Sequence, residues 1–176
     1  YSNSAIAQAV PMAQAAESAT ATPLSGVRLA GQGVLRFLGF EIYRARLWVQ
    51  PGFDADNYGA QPLALELTYH RDFTAEAIAK RSLEEMRRVG SFTPQQATRW
   101  QQALQAALPD VKSGDRLLGI HQPGVGAVFK MAGRVVGEVP DAEFSRLFFG
   151  IWLSPHTSEP GLRQELLAAT RTAGQP

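Results

Sequence analysis

Arg36 and Tyr43 are the residues with the most chemical promise, and both lie in the stretch from Gly31 to Val49, GQGVLRFLGFEIYRARLWV. A guanidinium and a phenol beside a mostly apolar face suit a carboxylate or an enolate whose remainder is greasy, since both groups favour oxygen while the apolar wall excludes water. The plainer alternative is a surface arginine beside a half-buried tyrosine whose hydroxyl finds a backbone partner. Arg44 and Arg46 fall on the strand face opposite Tyr43 and are expected in solvent. Phe148, Phe149 and Trp152 read as core, though a helix that carries them is also suited to line an apolar cleft.

Other chemistry finds little support. His70, His121 and His156 are isolated, without the short spacing that sets two ligands on one helix face, so no metal site is expected. Gly31-Gln-Gly33 and Gly124-Val-Gly126 lack the third glycine of a dinucleotide loop and read as turn and bulge residues. No nucleophile elbow surrounds Ser91, Ser113 or Ser145, so no catalytic residue is assigned and no cofactor is implied.

The elements that position these groups follow from periodicity. Tyr43, Ala45, Leu47 and Val49 alternate with Ile42, Arg44, Arg46 and Trp48, which predicts a strand with one face on a core. The preceding strand ends near Phe37, and Gly39 supplies the turn, so Arg36 and Tyr43 flank one hairpin. Leu63, Leu65, Leu67 and Tyr69 mark a third strand. Thr74 caps a helix to about Val89, on which Arg81 and Glu85 read as a solvated ion pair. Phe92, Thr93, Pro94 and Gln96 form an unusually complete start for the next helix, with Ala97, Trp100, Leu104 and Leu108 inward. Three short strands follow over 115–122, 126–131 and 134–139, with Val135, Gly137 and Val139 expected to repeat the inward pattern of Ala127, Phe129 and Met131. Asp141 caps a helix bearing Phe144, Leu147, Phe148, Ile151 and Trp152, and Pro160 opens the last one. Hairpins in runs and helices in runs predict an α+β fold, with about six antiparallel strands and helices layered on one face.

Composition narrows the partners. Seventeen basic residues stand against sixteen acidic ones, a net charge of +1, so nothing favours nucleic acid. The chain has no cysteine, which removes disulfides, thiolate metal sites and a thiol nucleophile together. Residues 1–26 are rich in Ala, Ser, Thr and Gln, contain no Lys or Arg, and resemble the flank of a secretory signal. The expected organisation is therefore a leader over 1–26, one domain over 27–170 and a tail over 171–176, in a periplasmic or secreted protein, with a cytoplasmic one as the alternative. No later segment reaches the ~20 apolar residues of a transmembrane helix.

The Gly-rich first strand running into RFLGFEIYRARLWV, the segment PDVKSGDRLLG and the run FSRLFFGIWLSPHTSEPGLRQELL resemble the bacterial chalcone isomerase-like proteins, over about Gly26 to Ala168. The resemblance implies an open-faced β-sandwich, a large antiparallel sheet covered on one face by helices, with a ligand cleft between them. Relatives include flavonoid isomerases, fatty-acid-binding proteins and non-catalytic helpers, so the fold alone does not fix the function. In isomerases and fatty-acid binders an Arg on the first long strand and a Thr or Tyr on the next hold an anionic ligand. Arg36 and Tyr43 match best, and Arg28 competes with Arg36. Plant isomerases add a Tyr and an Asn on or near the helix after the third strand, and between Phe73 and Gly90 this chain has neither.

The expected function is non-catalytic binding of a small apolar or amphipathic, fatty-acid-like ligand between sheet and helices, and the expected partner is a small apolar or carboxylate ligand. Arg36 and Tyr43 would orient its polar end, and Leu47, Phe148 and Trp152 would hold the remainder. The alternatives are an isomerase or intramolecular lyase acting on an enone, and a structural or interaction protein with a filled cleft. No protein partner is identified.

Overall fold

A computed structural model describes residues 25–172. The leader up to residue 24 and the tail from residue 173 lie outside the described residues. Six strands, β1 (Arg28–Phe37), β2 (Phe40–Val49), β3 (Leu63–Tyr69), β4 (Arg116–Gln122), β5 (Gly126–Met131) and β6 (Arg134–Val139), form one antiparallel sheet in sequence order. Between β3 and β4 the chain builds α1 (Ala75–Val89) and α2 (Pro94–Ala107), and after β6 it builds α3 (Ala142–Leu153), α4 (Pro160–Leu166) and α5 (Ala168–Thr172). The architecture is the expected α+β arrangement, an open sheet with helices packed against it.

Local chemistry sets the helix ends. Thr74 accepts from the Ala77 amide at the start of α1, and Thr93 and Gln96 form a full capping box at the start of α2. Asp141 opens α3 by accepting from the Phe144 amide at 3.0 Å, while its second oxygen accepts from Trp100 Nε1 at 2.9 Å, so one carboxylate fastens α2 to α3. Helix α3 then lays Phe144, Leu147, Phe148 and Phe149 against the sheet. Phe148 meets Phe129, Phe149 and Trp152 edge-on and stacks on Phe144, at 5.2–5.5 Å between centroids.

Gly31 and Gly33 have a packing role that spacing did not reveal. A β-carbon on Gly31 would lie 2.1 Å from the Glu165 carbonyl oxygen, and one on Gly33 would lie 2.7 Å from Leu162. The bare backbone of β1 therefore lets α4 rest directly on the sheet.

Two expectations about faces need correction. Trp48 sits on the outer face yet is buried, in a small second cluster with Ala64 and Ile120 flanked by Leu29, Leu118 and Val128. Of the two arginines expected in solvent, Arg44 is exposed, whereas Arg46 is half-buried, with its guanidinium carbon 5.1 Å from the Trp48 ring and an ion pair to Glu66 at 3.7 Å. The inward pattern of β6 breaks at Val135, because an irregularity between Phe129 and Lys130 sets Val135 opposite Lys130. Val135 is exposed as a result, while Gly137 and Val139 keep their inward places.

Candidate functional site

Between the sheet and α1, α3 and α4 lies a cavity of about 520 Å³. Its floor comprises buried residues such as Leu67, Tyr69, Leu117, Phe148, Trp152 and Leu162, while the exposed lining residues Arg36, Phe37, Ala77, Arg81 and Glu159 mark its mouth. The wall is mainly hydrocarbon, as a site for an apolar ligand requires.

Strand register explains which polar groups arrive there. Tyr43 on β2 stands opposite Leu35 on one side and Tyr69 on β3 on the other. An irregularity between Leu35 and Arg36 leaves Ile42 as an extra residue on β2, so Ile42 and Tyr43 both line the cavity although they are consecutive. The same irregularity sets Arg36 opposite Glu41, and its Nη2 meets the Glu41 carboxylate at 3.0 Å. Arg36 is therefore an exposed, paired residue at the rim.

Tyr43 is held from the helical side. Trp152 Nε1 donates to its hydroxyl oxygen at 2.9 Å, a side-chain partner rather than a backbone one, and the Tyr43 and Tyr69 rings meet edge-on at 5.9 Å. Burial pushes the Tyr43 hydroxyl well above the ordinary phenol value; the Trp152 bond opposes the shift, the carboxylates of Glu159 and Glu85 add to it, and Arg81 offsets them. Burial likewise raises Tyr69, and the neighbouring Tyr43 raises it further. Both phenols stay protonated and neutral through the physiological range.

On the opposite wall Arg81 Nη2 pairs with Glu85 at 2.9 Å, and Arg81 Nη1 reaches Glu84 at 3.3 Å. Ser158 Oγ donates to the second Glu85 oxygen at 2.6 Å. Arg81 and Glu85 are therefore not simply a solvated pair: Glu85 is mostly buried, and both residues line the cavity.

Of the residues singled out from sequence, Arg36, Tyr43, Phe148 and Trp152 all line this space. Leu47 does not; it is fully buried in the main core. Arg28, the alternative to Arg36, pairs with Val49 at the far end of β1 and is absent from the lining. Sequence reasoning missed Tyr69, Glu85 and Ser158. Tyr69 stood in the third-strand pattern, but its place beside Tyr43 depends on a register that no local pattern displays. Among the described residues no cluster of three His, Asp or Glu is placed to hold a metal, and no helix is long and apolar enough to cross a membrane.

A second buried polar cluster lies outside the cavity. His121 Nε2 meets the Gly59 carbonyl at 2.8 Å, so that nitrogen carries the proton, and Nδ1 accepts from Ser145 Oγ at 2.6 Å. Burial lowers the His121 pKa, and the bond to Gly59 opposes that shift.

Comparison with known proteins agrees with this architecture. The chain is 26% identical over 153 residues to an uncharacterised protein of Haemophilus influenzae, covering 87% of this chain and 74% of that protein. Its fold is similar to that of a fatty-acid binding protein of Arabidopsis thaliana, with a TM-score of 0.67 at 13% identity, across 88% of this chain and 94% of the plant chain. The chalcone isomerase-like family matches residues 8–168, and the chain belongs to that family.

Proposed function

We propose that this protein is a non-catalytic binder of a small apolar or amphipathic molecule, fatty-acid-like in shape, held between the sheet and its helical layer. The observation that carries the reading is the cavity of about 520 Å³, walled mainly by hydrocarbon and closed on one side by Phe148 and Trp152. Enclosing an alkyl chain there removes apolar surface from water at about 25 cal/mol per Å². Arg36 and Tyr43 contact the ligand at the rim and the floor, and Phe148 and Trp152 pack along its chain. The fatty-acid binding protein of similar fold supports the class of ligand. The Ala-rich stretch before residue 27 supports a periplasmic or secreted setting, which cell fractionation tests.

The isomerase alternative meets an obstacle on α1, which offers neither Tyr nor Asn to the cavity. The filled-cleft alternative called for solid packing beside Tyr43, where the cavity lies.

Native mass spectrometry of the purified protein, followed by organic extraction and rebinding of saturated fatty acids of increasing length, tests the proposal. A retained or rebound apolar ligand is the expected result, and its complete absence at micromolar protein overturns the reading. The double substitution Arg36→Ala and Tyr43→Phe is expected to weaken binding while the domain stays folded.

A further inference from the structure

Five hydroxyls line the cavity: Tyr43, Tyr69, Ser82, Thr157 and Ser158. Three have committed their protons to protein acceptors: Ser82 to the Ile78 carbonyl at 2.7 Å, Thr157 to the Ile151 carbonyl at 2.6 Å and Ser158 to Glu85 at 2.6 Å. The two phenols have not. Tyr43 accepts from Trp152, which leaves its own O–H free to donate, and the Tyr69 hydroxyl has no hydrogen-bond partner among the described residues although Tyr69 is only 5% exposed. Both phenols border the cavity, so a ligand oxygen placed there can accept from them in place of water.

The charge around them decides what kind of acceptor. Lining cations Arg36 and Arg81 are matched by lining carboxylates Glu85 and Glu159. Each arginine is already paired, Arg36 with Glu41 and Arg81 with Glu84 and Glu85. Near the Tyr43 hydroxyl the carboxylates of Glu159 and Glu85 disfavour a further negative charge, and Arg81 opposes them. A carboxylate anion brought to this wall would lose its hydration and gain no unpaired cation.

We propose that the Tyr43–Tyr69 pair grips a neutral oxygen acceptor, so that the cavity selects esters, ketones or protonated acids over carboxylate anions. This rests on the cavity being a ligand site, and it names the class of molecule that site prefers. Both phenols donate to the one oxygen, Trp152 fixes Tyr43 from behind, and the alkyl remainder runs along Phe148 and Leu162. Because burial holds both hydroxyls protonated, the grip persists across the physiological pH range.

The test is a titration of the full chain with methyl laurate, lauric acid and dodecane at pH ~8, where the acid is ionised. Methyl laurate is expected to bind about tenfold tighter than either laurate or dodecane, the scale of one or two hydrogen bonds made in a dry site. Tyr69→Phe and Tyr43→Phe are each expected to lower ester affinity by about threefold to tenfold and to leave dodecane unaffected. Tighter binding of laurate overturns the neutral-acceptor proposal while leaving the cavity as a ligand site. Equal binding of ester and dodecane also overturns it, because the phenols then contribute nothing. Failure of all three to bind overturns both this proposal and the reading on which it rests. The comparison of ligands on the unaltered chain decides the matter even if a variant folds poorly.

Discussion

Two polar clusters sit on the inner face of one sheet, and they differ in how far the protein itself satisfies them. At His121 both ring nitrogens are in use, one donating to the Gly59 carbonyl and one accepting from Ser145, and the residue is 1% exposed and outside the lining of the cavity. At Tyr43 and Tyr69 two hydroxyl protons have no protein acceptor among the described residues, and both rings border the cavity. A closed network of this kind rigidifies a core, and here it ties β4 to α3 and to the 3-10 turn over Ala55–Ala60. An open one beside a cavity keeps donors available to whatever fills that space. On the proposed function, the contrast separates the polar groups that serve folding from those that serve binding.

Removing the closed cluster has the largest expected effect. His121→Ala leaves a void and strands both the Ser145 hydroxyl and the Gly59 carbonyl, which costs about 3 kcal/mol of stability. Urea denaturation measures it; a loss below about 1 kcal/mol means that the cluster does not fasten these elements.

Acid probes the same contrast more gently. Burial holds the folded-state pKa of His121 below its ordinary value, so its contribution is fully present above about pH 6.5 and declines as pH falls through the lowered folded value. The slope approaches about 1.4 kcal/mol per pH unit for one proton. Both phenols behave oppositely, since their folded pKa values are raised; stability is unaffected below about pH 10 and falls as pH climbs beyond it. Unfolding measured across pH should show both limbs, and a flat acid limb would remove the case for a buried neutral imidazole.

Opening the other cluster costs least. Tyr69→Phe deletes a hydroxyl without a partner, so thermal stability should change by less than about 1 kcal/mol while ester affinity falls. A large destabilisation would show that the Tyr69 hydroxyl is already satisfied in the free protein.

What was legible in the letters was local. Alternation placed β2 and β3, and the Thr93–Pro94–Gln96 signature placed the start of α2, because each feature is decided by residues a few positions apart. Tyr43 and Arg36 could be singled out for the same reason, since one hairpin carries both. The site itself is assembled from distance. Ser158 meets Glu85 across 73 residues, Trp152 meets Tyr43 across 109, and Tyr69 faces Tyr43 only because β2 and β3 pair in one register. Leu47 shared the strand face of Tyr43, yet it is sealed in the main core, so the periodicity that found the face could not say where the cavity ended. Pairing irregularities after Leu35 and after Phe129 turned Ile42 into the cavity and Val135 out to solvent, against strict alternation.

The most direct test of the cavity as the binding site is to plug it. Ser82 is buried on α1 and lines the space, so Ser82→Phe directs a ring into the volume an alkyl chain would occupy. Lauric acid and methyl laurate should be titrated calorimetrically into the unaltered chain and into the plugged one. The account predicts one equivalent of the ester bound with a dissociation constant of the order of micromolar or tighter, and no binding of either molecule by Ser82→Phe at an unchanged melting temperature. Equal binding by a folded Ser82→Phe chain, or no binding by the unaltered chain, would contradict it.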